Sequence, residues 1–174
     1  MDQGRTEGSR RAGEEKGSVS VKVDDARIVL SPGKHNLLEK LVVEVFAPIF
    51  IDGAPKVLLL SDAEHKLKHV DPLAQALHLK LDEHEKMPDV ILYSATRNIL
   101  YIVEAVTSAG PISEPRVRDI ERIVLPDKLT FGVEYFTVFP DRTVFRKFLD
   151  EIAWGTQVWL ASEPFGVVIF RRLR

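Results

Sequence analysis

The chain has 174 residues, 45% of them apolar and 29% charged, which suits one globular domain with a sizeable core and is short for two. A net charge of −2 excludes a global basic field, so any nucleic-acid contact must come from local patches. No cysteine is present, which excludes disulfides and thiolate zinc sites; with no apolar run near the ~20 residues of a membrane span, a soluble, cytoplasmic protein without a membrane partner is expected.

Residues 1–18, "MDQGRTEGSRRAGEEKGS", are almost free of apolar side chains and read as a disordered tail, because too little surface is available to offset chain entropy. Residues 19–174 then form a single domain. "VSVKVDDARIVL" alternates apolar and polar residues as a short leading strand, and the folded body is expected to start near Gly33. Asn36 is the expected N-cap of a helix carrying Leu37, Leu38, Leu41, Val42, Val45 and Phe46 on one face and ending by Pro48. "KVLLLSD", Lys56 to Asp62, is a continuous apolar run suited to a strand covered on both faces. Asp71 before Pro72 opens a short helix. A hairpin follows over Asp89 to Glu104, then a helix capped by Ser113 with Val117, Ile120, Ile123 and Val124 inward. "VEYFTVF" is a strand, Asp141 caps a helix through Ile152, and "TQVWLA" and "GVVIF" close the sheet. Helices and strands alternate around a mixed sheet, so the class is α/β.

The hairpin carries the chemistry. A turn centred on Thr96 and Arg97 sets Tyr93 opposite Leu100, Ile91 opposite Ile102 and Asp89 opposite Glu104, with all six side chains on one face. Directly opposed Cβ atoms lie about 5 Å apart, and two carboxylates there repel by roughly 3 kcal/mol at an effective dielectric near 20. A divalent cation reverses that sign, and one or two carboxylates plus water is the usual way Mg²⁺ is held. Against this stands a plain structural arrangement, with Asp89 capping a turn after Pro88 and Glu104 paired with a surface lysine.

Lys86-Met87-Pro88-Asp89, Glu104-Ala105-Val106-Thr107-Ser108 with Gly110-Pro111, and Ile152-Ala153-Trp154 followed by Val158-Trp159 together resemble the BsuBI/PstI family of type II restriction endonucleases. The resemblance runs from about Lys34 to Pro164. It implies the PD-(D/E)XK nuclease fold, a mixed β-sheet flanked by helices, and a magnesium-dependent endodeoxyribonuclease for which Mn²⁺ can substitute. Pro88-Asp89 would be the "PD" and Glu104 the second acid, both metal ligands. The lysine expected two residues after the second acid is Val106 here, and Lys86 is the substitute cation, with Lys66 the second choice. Glu44 is a third ligand from the first helix or else a salt bridge at the core margin. Asp62 and Lys66 support the site. Arg116, Arg118 and Arg122 grip DNA phosphates or pair with the interspersed acids of their helix. Double-stranded DNA is the implied partner; a homodimer follows because symmetric cleavage of a duplex needs two active sites, and a companion DNA methyltransferase goes with a restriction role. The rival readings are a non-catalytic DNA-binding or interaction module keeping the fold, favoured by Val106, and a structure-specific repair nuclease.

Overall fold

The computed structural model describes residues 17–63 and 67–173. Most of the expected tail and Lys66 therefore lie outside the described residues. Folded structure begins earlier than Gly33, because the leading segment is a hairpin, β1 (Val19–Val23) with β2 (Ala26–Leu30). Its turn places Asp24 at φ 51°, a left-handed conformation that aspartate tolerates better than most residues. Val19, Val21 and Val23 alternate into the core, the period of two turned inward.

The first helix also departs from expectation. It begins at Lys34, one residue after Gly33, and α1 (Lys34–Leu41) runs through a wide π turn (Val42–Phe46) into α2 (Ala47–Phe50). Asn36 is not the cap; it is buried inside the first turn, donating to the Ser31 carbonyl at 2.9 Å and to Asp62 Oδ1 at 3.2 Å. Pro48 does not end the helix either. The turn before it is already wound i to i+5, with the Ala47 amide donating to the Val42 carbonyl, so the hydrogen bond that proline cannot make is absorbed by the local π geometry.

Seven strands form the main sheet in the order β4 (Leu67–Val70), β3 (Lys56–Ser61), β5 (Val90–Ser94), β6 (Ile99–Ala105), β7 (Gly132–Phe139), β8 (Gln157–Leu160) and β9 (Val167–Ile169). The β6–β7 and β7–β8 pairs are parallel and the others antiparallel. Parallel neighbours require crossovers, supplied by α4 (Glu114–Ile123) and by α5 (Arg142–Phe148). Asp71, Ser113 and Asp141 cap α3 (Pro72–Ala76), α4 and α5 through their side chains, as their sequence positions indicate.

Each sheet face is covered. The helix α1–α2 and β1 pack on Val57, Leu60, Val90, Leu92, Val103 and Trp159. On the other face α3 and α4 pack on Leu58, Leu59, Ile91, Leu100 and Ile102. This is the α/β mixed sheet flanked by helices that the alternation of elements predicts, and the continuous apolar runs of β3 and β5 follow from burial on both sides. Among the described residues, no helix is long and apolar enough to cross a membrane.

Candidate active site

The β5–β6 hairpin closes through a four-residue loop, Ala95 to Asn98, with Tyr93 opposite Leu100 and Ile91 opposite Ile102. Asn98 sits at φ 52° and its Oδ1 accepts from the Tyr93 hydroxyl at 2.7 Å. This fixes a register that the turn sequence alone left loose. The ladder ends at Val90 opposite Val103, one step short of the two acids. Beyond it the Asp89 carbonyl accepts from the Ser61 amide of β3, and Asp89 Oδ2 accepts from the Ala105 amide at 2.7 Å. The Asp89 carboxylate therefore folds over the ladder end. Asp89 and Glu104 nevertheless open onto one cavity of about 470 Å³, with His35, Asp62, His84 and Lys86 in its wall. The cavity lies beyond the carboxyl end of β6, where the crevices of open α/β sheets commonly bind ligands.

Each acid has its own positive neighbour. Glu104 Oε1 accepts from Arg116 Nε at 2.8 Å and from Nη2 at 2.5 Å, and both residues are buried. That geometry occupies one Glu104 oxygen with both arginine nitrogens. Arg116 Nη1 is buried and, among the described residues, has no hydrogen-bond partner. Asp89 Oδ1 lies 3.2 Å from His35 Nε2, and the same ring nitrogen lies 3.3 Å from Oε1 of Glu39. Glu39 is fully buried, and among the described residues neither of its oxygens has a hydrogen-bond partner, the His35 contact being an ion pair.

Burial, reinforced by the Asp89 charge, pushes the Glu104 carboxyl up to about 7 against the opposing pull of Arg116 and Lys86. Burial likewise pushes Glu39 up to about 8, with the His35 contact pulling the other way. The close contact with the Asp89 carboxylate, and then with that of Glu39, raises His35 to about 10. Each group thus binds its proton more tightly in the folded chain than in the unfolded one, where the glutamates ionise near 4.5 and the histidine near 6.5. Their stabilising contribution is complete below those unfolded values and is lost as pH rises through the folded ones. Metal-free protein is therefore expected to show a lower guanidinium midpoint at about pH 9 than at about pH 6. The drop should be smaller in Glu39→Gln, and a midpoint that rises with pH would contradict this assignment.

The remaining expected residues divide clearly. Lys86 and Asp62 line the cavity; Asp62 accepts from the Ser31 amide at 2.7 Å and also from the Ser31 hydroxyl, which ties β2 to the end of β3. Glu44 does not reach the site. It accepts from the Lys22 amide at 3.1 Å and pairs with Lys40 at 3.0 Å, the salt bridge at the core margin. Arg116 is not on an exposed DNA-facing flank, because the Glu104 carboxylate draws it into the interior. Arg118 and Arg122 stay exposed on α4, with Arg122 3.5 Å from Asp119. Val106 packs with Phe139, Ile152, Val158 and Leu160. A lysine there would be buried among apolar side chains, so the motif cation cannot simply be supplied at that position.

His35 and Glu39 escaped the sequence reading, and the reason is geometric. Anchoring the helix face on Leu37 selects Glu44, but Leu37 is 49% exposed. The inward stripe is His35, Glu39, Val42 and Phe46, spaced four, three and four residues apart, the pattern of a core-facing helix. A histidine and a glutamate on that stripe were the available signal.

Residues 19–172 match the BsuBI/PstI restriction endonuclease domain family. The chain is 33% identical over 148 residues to the type II restriction enzyme BsuBI of Bacillus subtilis, a match covering 84% of this chain and 46% of that protein. It is 24% identical over 151 residues to the type II restriction enzyme AplI of Arthrospira platensis, covering 82% and 45%. The solved structure of SdaI restriction endonuclease superposes with a TM-score of 0.81 at 32% identity, covering 90% of this chain and 49% of that one. The chain thus spans about half the length of the curated relatives it matches.

Proposed function

Because this chain belongs to the BsuBI/PstI restriction endonuclease domain family, we propose that it hydrolyses phosphodiester bonds of double-stranded DNA as a metal-dependent endodeoxyribonuclease. The observation that carries the reading is the convergence of Asp89, Glu104 and Lys86 on a single open cavity. Two acids from adjacent strands and a lysine make a donor set that fits a hard divalent cation and a phosphate together.

Asp89 and Glu104 would hold Mg²⁺, with Mn²⁺ as a substitute. When bound, the cation would stabilise negative charge developing on a phosphoryl oxygen. The protein residues have separable tasks. The Ala105 amide orients the Asp89 carboxylate. Arg116 holds one Glu104 oxygen and leaves the other available. Lys86 adds positive charge at the cavity wall, in the role left open by Val106. Arg118 and Arg122, exposed on α4, are the phosphate-contact candidates. Two copies acting together would cut both strands of a duplex, so the active form is read as a homodimer with a companion DNA methyltransferase protecting host sites.

Incubating plasmid with the purified protein and Mg²⁺ or Mn²⁺ tests this. Nicked or linear product is expected from the wild type and not from Asp89→Ala. Plasmid left equally intact by both would overturn the proposal.

A further inference from the structure

We propose that β9 and its flanks form an isologous interface for a second copy of this chain, in which the two β9 strands pair antiparallel and join two seven-stranded sheets into one. The inference rests on the fold and not on the nuclease reading. Antiparallel pairing of identical edges places a two-fold axis perpendicular to the sheet. The two copies of β6 then run in opposite directions, and their cavities open at opposite ends of the joined sheet. This contact is therefore distinct from a pairing that brings two active sites to one duplex.

The backbone supplies the first observation. β9 is the last strand of the sheet. The Phe170 amide donates to the Thr156 carbonyl at 3.0 Å, and the Phe170 carbonyl accepts from the Gly155 amide at 2.6 Å, so this backbone faces β8. Alternation along the ladder turns the N–H and C=O groups of Val167 and Ile169 the other way, onto an edge with no further strand among the described residues. Such edges are ordinarily blunted by charge, proline or a covering element. The opposite edge strand, β4, carries Lys68 and His69 and lies beside β2. Val167–Ile169 carries no charge at all.

Side chains supply the second. Of the eleven exposed large apolar residues among those described, five belong to this edge: Trp154, Phe165, Val168, Ile169 and Leu173. Phe165 is 84% exposed, Leu173 87% and Ile169 64%, while the Trp154 ring meets Phe170 edge-on with centroids 6.0 Å apart. Covering all five would remove roughly 700 Å² per copy, close to the ~800 Å² per partner of a standard stable interface. An exposed apolar surface of that size marks a binding face, and its extent is that of a contact between two proteins. A register centred on Ile169 sets Ile169 against its own symmetry mate and Val168 against Phe170 of the second copy. Both faces of the new strand pair are then apolar, and one patch serves as both halves of the contact.

Sedimentation equilibrium of the full chain, with neither metal nor DNA, tests the proposal, so the result is independent of any cleavage. At about 100 μM chain, above the micromolar dissociation constants of the weaker standard-size interfaces, the wild type is expected to reach at least twice 19.7 kDa. Ile169→Lys is expected to weaken this association at least about tenfold. Leu37→Lys, at an exposed apolar position on α1, is expected to leave it unchanged. Circular dichroism checks that each variant folds. Because the chain has no cysteine, Ile169→Cys gives a second reading. Facing Cα atoms about 5.5 Å apart lie within disulfide reach, so mild oxidation should link two copies of Ile169→Cys and not of Leu37→Cys. Wild type that stays at 19.7 kDa, folded Ile169→Lys that associates as tightly as Leu37→Lys, or Ile169→Cys that cross-links no faster than Leu37→Cys would each overturn the β9 interface.

Discussion

Asp89→Asn is expected to slow plasmid cleavage by at least about a thousandfold while the protein stays folded. The side-chain amide oxygen can still accept the Ala105 hydrogen bond, so the end of the β5–β6 ladder has no reason to open. What disappears is a full negative charge at the proposed cation position. A bound metal contributes several kcal/mol of transition-state charge stabilisation, and about 4 kcal/mol is a thousandfold in rate. The His35–Asp89 contact is also lost, but it is partly exposed and its share of stability is small. Single-turnover cleavage with Mn²⁺, read beside thermal unfolding, separates the two effects. A fall of less than about tenfold in a folded variant would remove Asp89 from the centre of the chemistry.

Arg116→Met carries the largest expected loss of stability. Arg116 and Glu104 are both buried and joined by two charge-assisted hydrogen bonds. Removing one member of a buried pair strands the other charge, at a cost of about 3–5 kcal/mol. The unpartnered Nη1 already works against the pair, which favours the lower end of that range. For a domain of this size the melting temperature should fall by roughly 6–12 °C. The double variant Arg116→Met/Glu104→Leu should recover most of the loss, because replacing a whole buried pair by apolar groups is often close to neutral. A double variant no more stable than Arg116→Met alone would show that packing, not the stranded carboxylate, causes the effect. The same pair bears on chemistry, since Arg116 holds Glu104 Oε1 in place through two hydrogen bonds.

The local arrangement of the site was legible in the chain. The apolar runs Val90–Ser94 and Ile99–Ala105 specify two strands, and a two-residue and a four-residue loop with the same centre give the same pairing, which the Asn98–Tyr93 hydrogen bond then secures. Pro88-Asp89 and Glu104 are carried to neighbouring strand ends by that register. The continuous apolar run of β3 signalled a sheet covered on both faces, and Asp71, Ser113 and Asp141 announced helix starts through ordinary capping chemistry.

Partnership across the sheet was a different matter. Arg116 is twelve residues from Glu104 in the chain, and only the docking of α4 on one face turns an apparent surface arginine into a buried counter-ion. His35 and Glu39 meet Asp89 only because α1 packs against the other face, with its rotation set by Val42, Phe46 and the π turn rather than by Leu37. A hairpin follows from two apolar runs and the short polar stretch between them, both local properties. Which charges face one another depends on helix rotation about its own axis, where one residue's difference is about 100°; packing against the sheet supplies that angle.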